Sequence, residues 1–355
     1  MSKLSDAALP TGAFRAGDRV QLTGPKGRLN TITLVAGARY GTHRGDLMHD
    51  DIIGQPEGSI VANQSGVEYL AFRPLLSDFV LSMPRGANII YPKDSAQIMV
   101  MGDIFPGARV VEAGVGSGGL SMYLLRAIGD HGTLDSFERR SEFAEIASAN
   151  VATNLGLVPD NWNIHLGDLQ DELPKKKEDA SVDRIILDML APWECIDECA
   201  AALVPGGLIM GYVATVTQLS RFTEALRKSG QFAEPEAWES MVRGWHLQGL
   251  AVRPEHRMIG HTGFLVSARR LAPNAVLPDF KTTKAKPEFA DEDIAVWNPD
   301  HMGERKVSDK KLRKTIRSTS CHCHTVCWLD RLLWPQARRR SFRRRKTNLR
   351  HLYRW

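Results

Sequence analysis

The chain has 355 residues, 43% of them apolar and 7% aromatic, which fits a globular protein of two to three structural units with a sizeable core and excludes a fibrous one. No run of about 18 apolar residues occurs and Met1 to Phe14 lacks an apolar signal core, so a cytoplasmic protein without a membrane partner is expected. Charge is unevenly placed: residues 305–355 carry 17 Lys and Arg against 2 Asp and Glu, so the overall +5 hides a net −10 over residues 1–304.

A polar tail over 1–16 precedes a series of short alternating pieces from Gly17 to Asn63, separated by Gly-Pro, Gly-Ala-Arg and Gly-Gln-Pro. This pattern predicts a small β-rich domain over 17–70. Its Lys26, Arg28, Arg39, His43 and Arg44 either meet phosphates or form an ordinary solvated face. Tyr69 to Met83 reads as a connector with helical character, the start of a second unit spanning 71–273. Ile89 to Asp94 reads as an extended piece broken by Pro92, and Ser95 to Ile104 as a helix capped by Asp94 or Ser95.

The chain then reaches Val110-Val-Glu-Ala-Gly-Val-Gly-Ser-Gly-Gly-Leu120, a strand, a tight turn and the start of a helix. Glycines remove Cβ atoms where backbone must approach a ligand, and the first turn of the helix offers free N–H groups at its positive dipole end. Strands at Thr133 to Glu138, Trp162 to Leu166, Ser181 to Asp188, Leu208 to Val213 and Gly263 to Arg269 alternate with helices at Ser141 to Leu155, Trp193 to Leu203 and Gln218 to Ser229. This alternation predicts an α/β fold, a mainly parallel sheet with helices on both faces and a ligand crevice at the carboxyl ends of the strands. Glu112, Glu138, Asp168 and Asp188 all fall at strand ends and are expected to line that crevice.

The spacing Gly114-x-Gly116-x-x-Gly119 alone also suits a dinucleotide. The flanking residues favour S-adenosylmethionine: Glu138 stands where an acid takes both ribose hydroxyls, and Asp168 with Leu169 where a carboxylate and an apolar side chain meet adenine. A dinucleotide enzyme has no need of Asp168, nor of the block Asp188-Met-Leu-Ala-Pro-Trp193.

At these residues the sequence resembles the tRNA (adenine-N1)-methyltransferases that modify adenine 58 in the T-loop. The glycine motif is shared by many methyltransferases, whereas the combination of Tyr91-Pro-Lys-Asp-Ser-Ala-Gln97, Asp188-Met-Leu-Ala-Pro-Trp193 and Gly260-His-Thr-Gly-Phe-Leu265 is specific. Val213-Ala-Thr-Val-Thr-Gln218 and Gly249-Leu-Ala-Val-Arg-Pro254 look like the bacterial, especially actinobacterial, branch. The resemblance covers about Gly17 to Pro273. It implies a class I, Rossmann-like methyltransferase domain with a seven-stranded sheet behind the small β-rich domain. The cofactor residues it implies are Gln97, Gly114, Gly116, Ser117, Gly118, Gly119, Leu120, Glu138, Phe143, Asp168, Leu169 and Asp188, although Phe143 stands where relatives carry a charged or polar residue. Asp188 is the implied catalytic carboxylate, and Tyr91, Tyr212, Arg253 and His261 are second-rank candidates for the substrate. Arg243, Arg253, His256 and Arg257 form a candidate RNA patch. A homotetramer is implied by the family alone. Two rival readings are a protein L-isoaspartate-type or other small-substrate methyltransferase and a non-catalytic RNA-binding partner subunit. The intact glycine loop and Asp188 argue against the second.

No metal is expected: the cluster Cys321-His-Cys-His324 with Cys327 lacks the paired spacing of a zinc site, and Cys195 and Cys199 form no disulfide framework. Residues 274–355 read as a linker and a basic tail. Beyond about Lys314 two readings stay open, a disordered basic arm and codons read out of frame.

Overall fold

The computed structural model describes residues 11–278, 310, 312–314 and 316. The basic tail and its Cys/His cluster lie outside the described residues, as does most of the linker. Six strands build the N-terminal unit: β1 (Arg19–Gly24), β2 (Arg28–Thr33), β3 (Arg39–Thr42), β4 (Gly45–Met48), β5 (Ile60–Ala62) and β6 (Glu68–Phe72). Four of them form an antiparallel sheet in the order β2-β1-β6-β5, and β3 pairs with β4 as a separate hairpin. The alternation in β1 sends Val20 and Leu22 inward onto Phe14, Leu34, Leu47, Ile52, Val61, Tyr69 and Ala71. Tyr69 to Phe72 was expected in a helical connector. It is instead strand, because β6 pairs with the centre of β1.

Next come α1 (Leu76–Ser82) and α2 (Pro92–Met101). The start of α2 differs from the expectation, since Pro92 occupies its first turn and Tyr91 is the N-cap. Proline suits that position because its fixed φ is already helical and its missing N–H would have no partner there. The Asp94 carboxylate, expected as a cap, is instead taken up by side chains from far along the chain.

The larger unit follows: β7 (Arg109–Ala113), α3 (Gly119–Ile128), β8 (Thr133–Glu138), α4 (Ser141–Leu155), β9 (Trp162–Leu166), α5 (Leu169–Lys176), β10 (Val182–Leu187), α6 (Ile196–Ala202), β11 (Leu203–Val213) and α7 (Val216–Ser229). After these run β12 (Glu236–Trp238), β13 (Trp245–Gln248), β14 (Ala251–Pro254) and β15 (Phe264–Arg269). Seven strands form one sheet in the order β12-β15-β11-β10-β7-β8-β9, parallel from β11 to β9 with β15 antiparallel to both its neighbours. Strand residues alternate between two cores, with Val110, Ile186 and Met210 packing on one face and Val111, Ile185 and Ile209 on the other. Side chains of α1 to α4 fill the first face and those of α5 to α7 the second.

The antiparallel strand matters for the site. Val213 at the end of β11 pairs with Phe264 at the start of β15, and Trp238 at the end of β12 pairs with Leu265. The segments around Glu239 and His261 to Gly263 therefore arrive at the edge where the parallel strands end. Helix α5, with Pro174 inside it, and strands β12 to β14 were not anticipated. In the hairpin β13–β14, Trp245, Leu247 and Val252 are all exposed, so no inward and outward alternation betrays the strands. Among the described residues, no helix is long and apolar enough to cross a membrane.

Candidate active site

The loop after β7 is shaped by backbone that only glycine adopts readily. Gly114 (φ +86°) lies so close to β10 that a Cβ would sit 1.9 Å from the Asp188 carbonyl oxygen, and Gly118 (φ +78°) packs on Ala147 of α4. The Asp188 N–H donates to the Ala113 carbonyl at 2.8 Å, so the glycine loop and the end of β10 are locked together. Gly119 opens α3, and Leu120 is buried under the loop.

Glu138, Asp168 and Asp188 stand at the carboxyl ends of β8, β9 and β10, and Glu112, near the end of β7, is buried. Glu112 is 1% exposed and lies beneath the loop, its Oε2 accepting from Ser121 Oγ (2.7 Å) and Ser136 Oγ (2.8 Å). The expected crevice position is corrected because β7 is flanked by β10 and β8 and covered by α3. Burial pushes the Glu112 carboxyl up to about 7 against the two serine hydrogen bonds, with the Asp188 and Glu138 charges adding to the rise. Glu138 ends β8 and accepts from the backbone N–H groups of Gly116 (3.2 Å) and Arg140 (3.1 Å). Asp168 is the N-cap residue of α5 and pairs with Arg139 at 2.6 Å, with Leu169 buried behind it.

Asp188 differs from all of these. Its carboxylate is half-buried yet accepts no hydrogen bond and forms no ion pair among the described residues. Burial raises it to about 7, with the Glu138 charge as the second cause. A polar group left this way costs stability unless something else meets it. The loop that follows is held from outside: Gln218 Nε2 donates to the Leu190 carbonyl at 2.9 Å, while Gln218 and Thr215 form the capping box of α7. Trp193 packs on the second core under the Arg221 guanidinium, 4.1 Å above its ring, which makes it an anchor.

Tyr212 on β11 completes the near wall. Its phenol is pushed up strongly by burial, and the charges of Asp94, Asp188 and Tyr91 add to the rise. His261 lies at its rim, with Nδ1 2.9 Å from Glu239 Oε2 and Nε2 3.2 Å from the Ala214 carbonyl. Both ring nitrogens face acceptors, which raises its pKa, chiefly through Glu239. Gln97 is half-buried on α2. Phe143 is fully buried, with Arg140 3.8 Å over its ring and Gly86 against its edge. Arg253 is exposed on β14, in the two-stranded sheet β13–β14.

A cluster that the sequence did not reveal lies beside Tyr212. Lys93 Nζ donates to Asp94 Oδ1 (2.7 Å), the Ser240 carbonyl (2.8 Å) and Thr262 Oγ1 (2.6 Å). Asp94, 1% exposed, also accepts from Ser240 Oγ (2.9 Å) and Thr262 Oγ1 (2.7 Å). Its residues sit inside two of the motifs quoted above, but nothing local announces that those motifs touch.

The chain is similar to known methyltransferases. A family model described as TrmI-like N-terminal matches residues 12–61, and one described as tRNA methyltransferase complex GCD14 subunit matches residues 69–252. The tRNA (adenine(58)-N(1))-methyltransferase TrmI of Thermus thermophilus is 32% identical over 245 residues, which cover 69% of this chain and 94% of that protein. The tRNA (adenine(57)-N(1)/adenine(58)-N(1))-methyltransferase TrmI of Methanocaldococcus jannaschii is 29% identical, over 65% of this chain and 88% of its own. Among solved structures, an S-adenosylmethionine-dependent O-methyltransferase from Thermotoga maritima superposes with a TM-score of 0.69 at 30% identity, covering 74% of this chain and 96% of that one. The tRNA (m1A58) methyltransferase TrmI from Aquifex aeolicus superposes with a TM-score of 0.65 at 26% identity, covering 73% and 99%. A model that matches more than half of the chain, joined to a relative matched over nearly its whole length, means that the chain belongs to the GCD14 family of tRNA methyltransferases.

Proposed function

We propose that this chain transfers a methyl group from S-adenosylmethionine to N1 of adenine 58 in the T-loop of tRNA, with Asp188 as the catalytic carboxylate. The observation that carries the reading is the half-buried Asp188 at the end of β10, locked to the glycine loop through its backbone N–H, whose carboxylate has no hydrogen-bond or ion-pair partner among the described residues. Family membership and the named activities of the relatives support the substrate.

The residues present fit the cofactor. Ser117 Oγ is a buried polar atom without a partner among the described residues, in the glycine loop, and the Cβ position of Gly116 is open apart from Ala87 at 3.7 Å. Gly114, Gly116, Ser117, Gly118, Gly119 and Leu120 would hold its amino-acid end, Glu138 its ribose, and Asp168 with Leu169 its adenine; Gln97 is a further contact. When bound, S-adenosylmethionine supplies a methyl group on a sulfonium, the electrophile of the reaction.

Adenine N1 carries an in-plane lone pair and loses no proton on methylation, so the chain needs neither a general base nor a metal. The methylated ring is cationic. Asp188 accepts from the exocyclic amine, orients N1 and opposes the positive charge as it develops, a stabilisation realised mainly in the transition state. Tyr91 and Tyr212 contact the extruded base, whose unstacking costs a few kcal/mol. Arg253 and His261 meet the surrounding RNA. The exposed apolar hairpin, with Trp245 at 56% and Leu247 at 73% exposure, supports burial between subunits and hence the homotetramer. We assign the protein to the cytoplasm, where its substrate would be met.

The test is transfer of labelled methyl from S-adenosylmethionine to unmodified tRNA, compared with tRNA in which adenine 58 is replaced, with the product nucleoside identified by mass spectrometry. Label as 1-methyladenosine on the first RNA alone is the expected result. No label on either RNA, from a protein that binds the cofactor, overturns the assignment.

A further inference from the structure

Just past Asp188 the chain leaves regular structure. Strand β10 ends at Leu187, and the next turn of helix begins at Pro192. The Asp188 N–H is fixed on the Ala113 carbonyl, but beyond it no backbone–backbone hydrogen bond reaches Met189 or Leu190 among the described residues. The Leu190 side chain gives no anchor either, being 48% exposed. Among the described residues, the one hydrogen bond on these two backbones is the donation from Gln218 Nε2 to the Leu190 carbonyl, at 2.9 Å.

The far side of the Gln218 amide fixes which way it points. Its Oε1 accepts from the Ala214 N–H (3.2 Å), the Thr215 N–H (3.1 Å) and Thr215 Oγ1 (3.1 Å). Turning the amide over would set its NH2 group against two backbone donors, so the nitrogen stays toward Leu190. Gln218 stands in the first turn of α7, a helix whose Phe222 and Leu226 are fully buried in the second core. The side chain thus joins a firmly packed helix to the residues that follow the carboxylate. We infer that Gln218 is a positioning residue: by holding the Leu190 carbonyl it sets where the Asp188 carboxylate meets adenine, without touching the substrate. The inference rests on the adenine-methylation reading above. Placement matters because the Asp188 carboxylate has no partner of its own among the described residues, and an error of about 1 Å in a reacting geometry can cost about 10²-fold in rate.

Gln218 also belongs to the capping box of α7, and the test separates the two roles. Glutamate serves equally well at this place in a capping box. Gln218→Glu therefore keeps the acceptor for Ala214 and Thr215 but sets a carboxylate oxygen against the Leu190 carbonyl. Thr215→Ala does the reverse, removing the capping hydroxyl while two backbone N–H groups still orient the Gln218 amide. Methyl transfer to tRNA, Tm and calorimetric affinity for S-adenosylmethionine are measured for each. Gln218→Glu should lower kcat at least about tenfold, with KM for tRNA and cofactor affinity within about twofold of wild type. Thr215→Ala should lower Tm and leave kcat within about twofold of wild type. The decisive comparison is made in an Asp188→Ala background, where no carboxylate remains to be placed: there Gln218→Glu should change kcat by less than about twofold. A wild-type kcat in Gln218→Glu, an equal loss in both backgrounds, or a loss in Thr215→Ala as large as in Gln218→Glu overturns the inference. Should Gln218→Glu fail to fold, Gln218→Met, uncharged and of similar length, takes its place in both backgrounds under the same criteria. A wild-type protein that methylates no tRNA refutes the underlying assignment instead, which separates the two failures.

Discussion

Replacing Asp188 by Asn should weaken the enzyme and strengthen the fold at the same time. The amide keeps the size of the side chain and removes its charge. In the wild-type protein, burial and the Glu138 charge raise the carboxyl to about 7. The native site therefore keeps its proton up to about pH 7, whereas the unfolded chain releases it near pH 4. Between those limits the native state holds more protons than the unfolded one, so stability is lost as pH rises from about 4 through about 7. At about 1.4 kcal/mol per pH unit the full loss is on the order of 4 kcal/mol, and the partly open edge of the side chain reduces it to on the order of 2 kcal/mol. Asn does not ionise and escapes this loss. Denaturant unfolding should show the variant equal to wild type near pH 4.5 and more stable by on the order of 2 kcal/mol at pH 8. Methyl transfer should fall by about 10²-fold at pH 8, the scale for one preorganised electrostatic group. Below pH 7 the wild-type rate should drop about tenfold per pH unit as the carboxylate is protonated, while the variant's rate stays flat. Undiminished turnover, or a variant less stable than wild type at pH 8, refutes the reasoning.

Glu112 offers a purely structural counterpart. Glu112→Gln should become more stable relative to wild type as pH rises from about 4.5 to about 7, by on the order of 3 kcal/mol, because the native carboxyl is raised to about 7 by burial; a difference independent of pH in urea unfolding counts against it. Gly114→Ala places a Cβ 1.9 Å from the Asp188 carbonyl in left-handed backbone. It should cost at least about 3 kcal/mol and abolish cofactor binding in calorimetry, and a variant with wild-type Tm and affinity would show that the loop is not so constrained. If the proposed assembly uses the exposed hairpin, paired Leu247→Asp and Leu250→Asp changes should lower the mass seen by light scattering, whereas an unchanged mass would remove the hairpin from that assembly.

The parts of this protein legible in the sequence are those whose cause is local. Strand and helix periods need only neighbouring residues, and the buried alternation of Val110 with Val111 and of Ile185 with Ile186 is the same pattern seen in three dimensions. The glycine loop was legible because backbone conformation is a property of a few consecutive residues, and Gly114 and Gly118 do adopt φ values that favour glycine. The hairpin β13–β14 escaped notice because its apolar residues face outward, which erases the period that marks a half-buried strand. Other features were settled only when distant segments met. Asp94 looks like a helix cap in sequence, yet its partners Ser240 and Thr262 lie 146 and 168 residues away. Glu112 and Asp188 look alike as strand-end acids. The strands and helix packed around Glu112 bury it with two serine donors, while the edge of the sheet leaves the Asp188 carboxylate without a partner among the described residues. Which carboxylate is structural and which is free to act depends on solvation and on donors supplied by other elements, and no stretch of sequence contains those by itself.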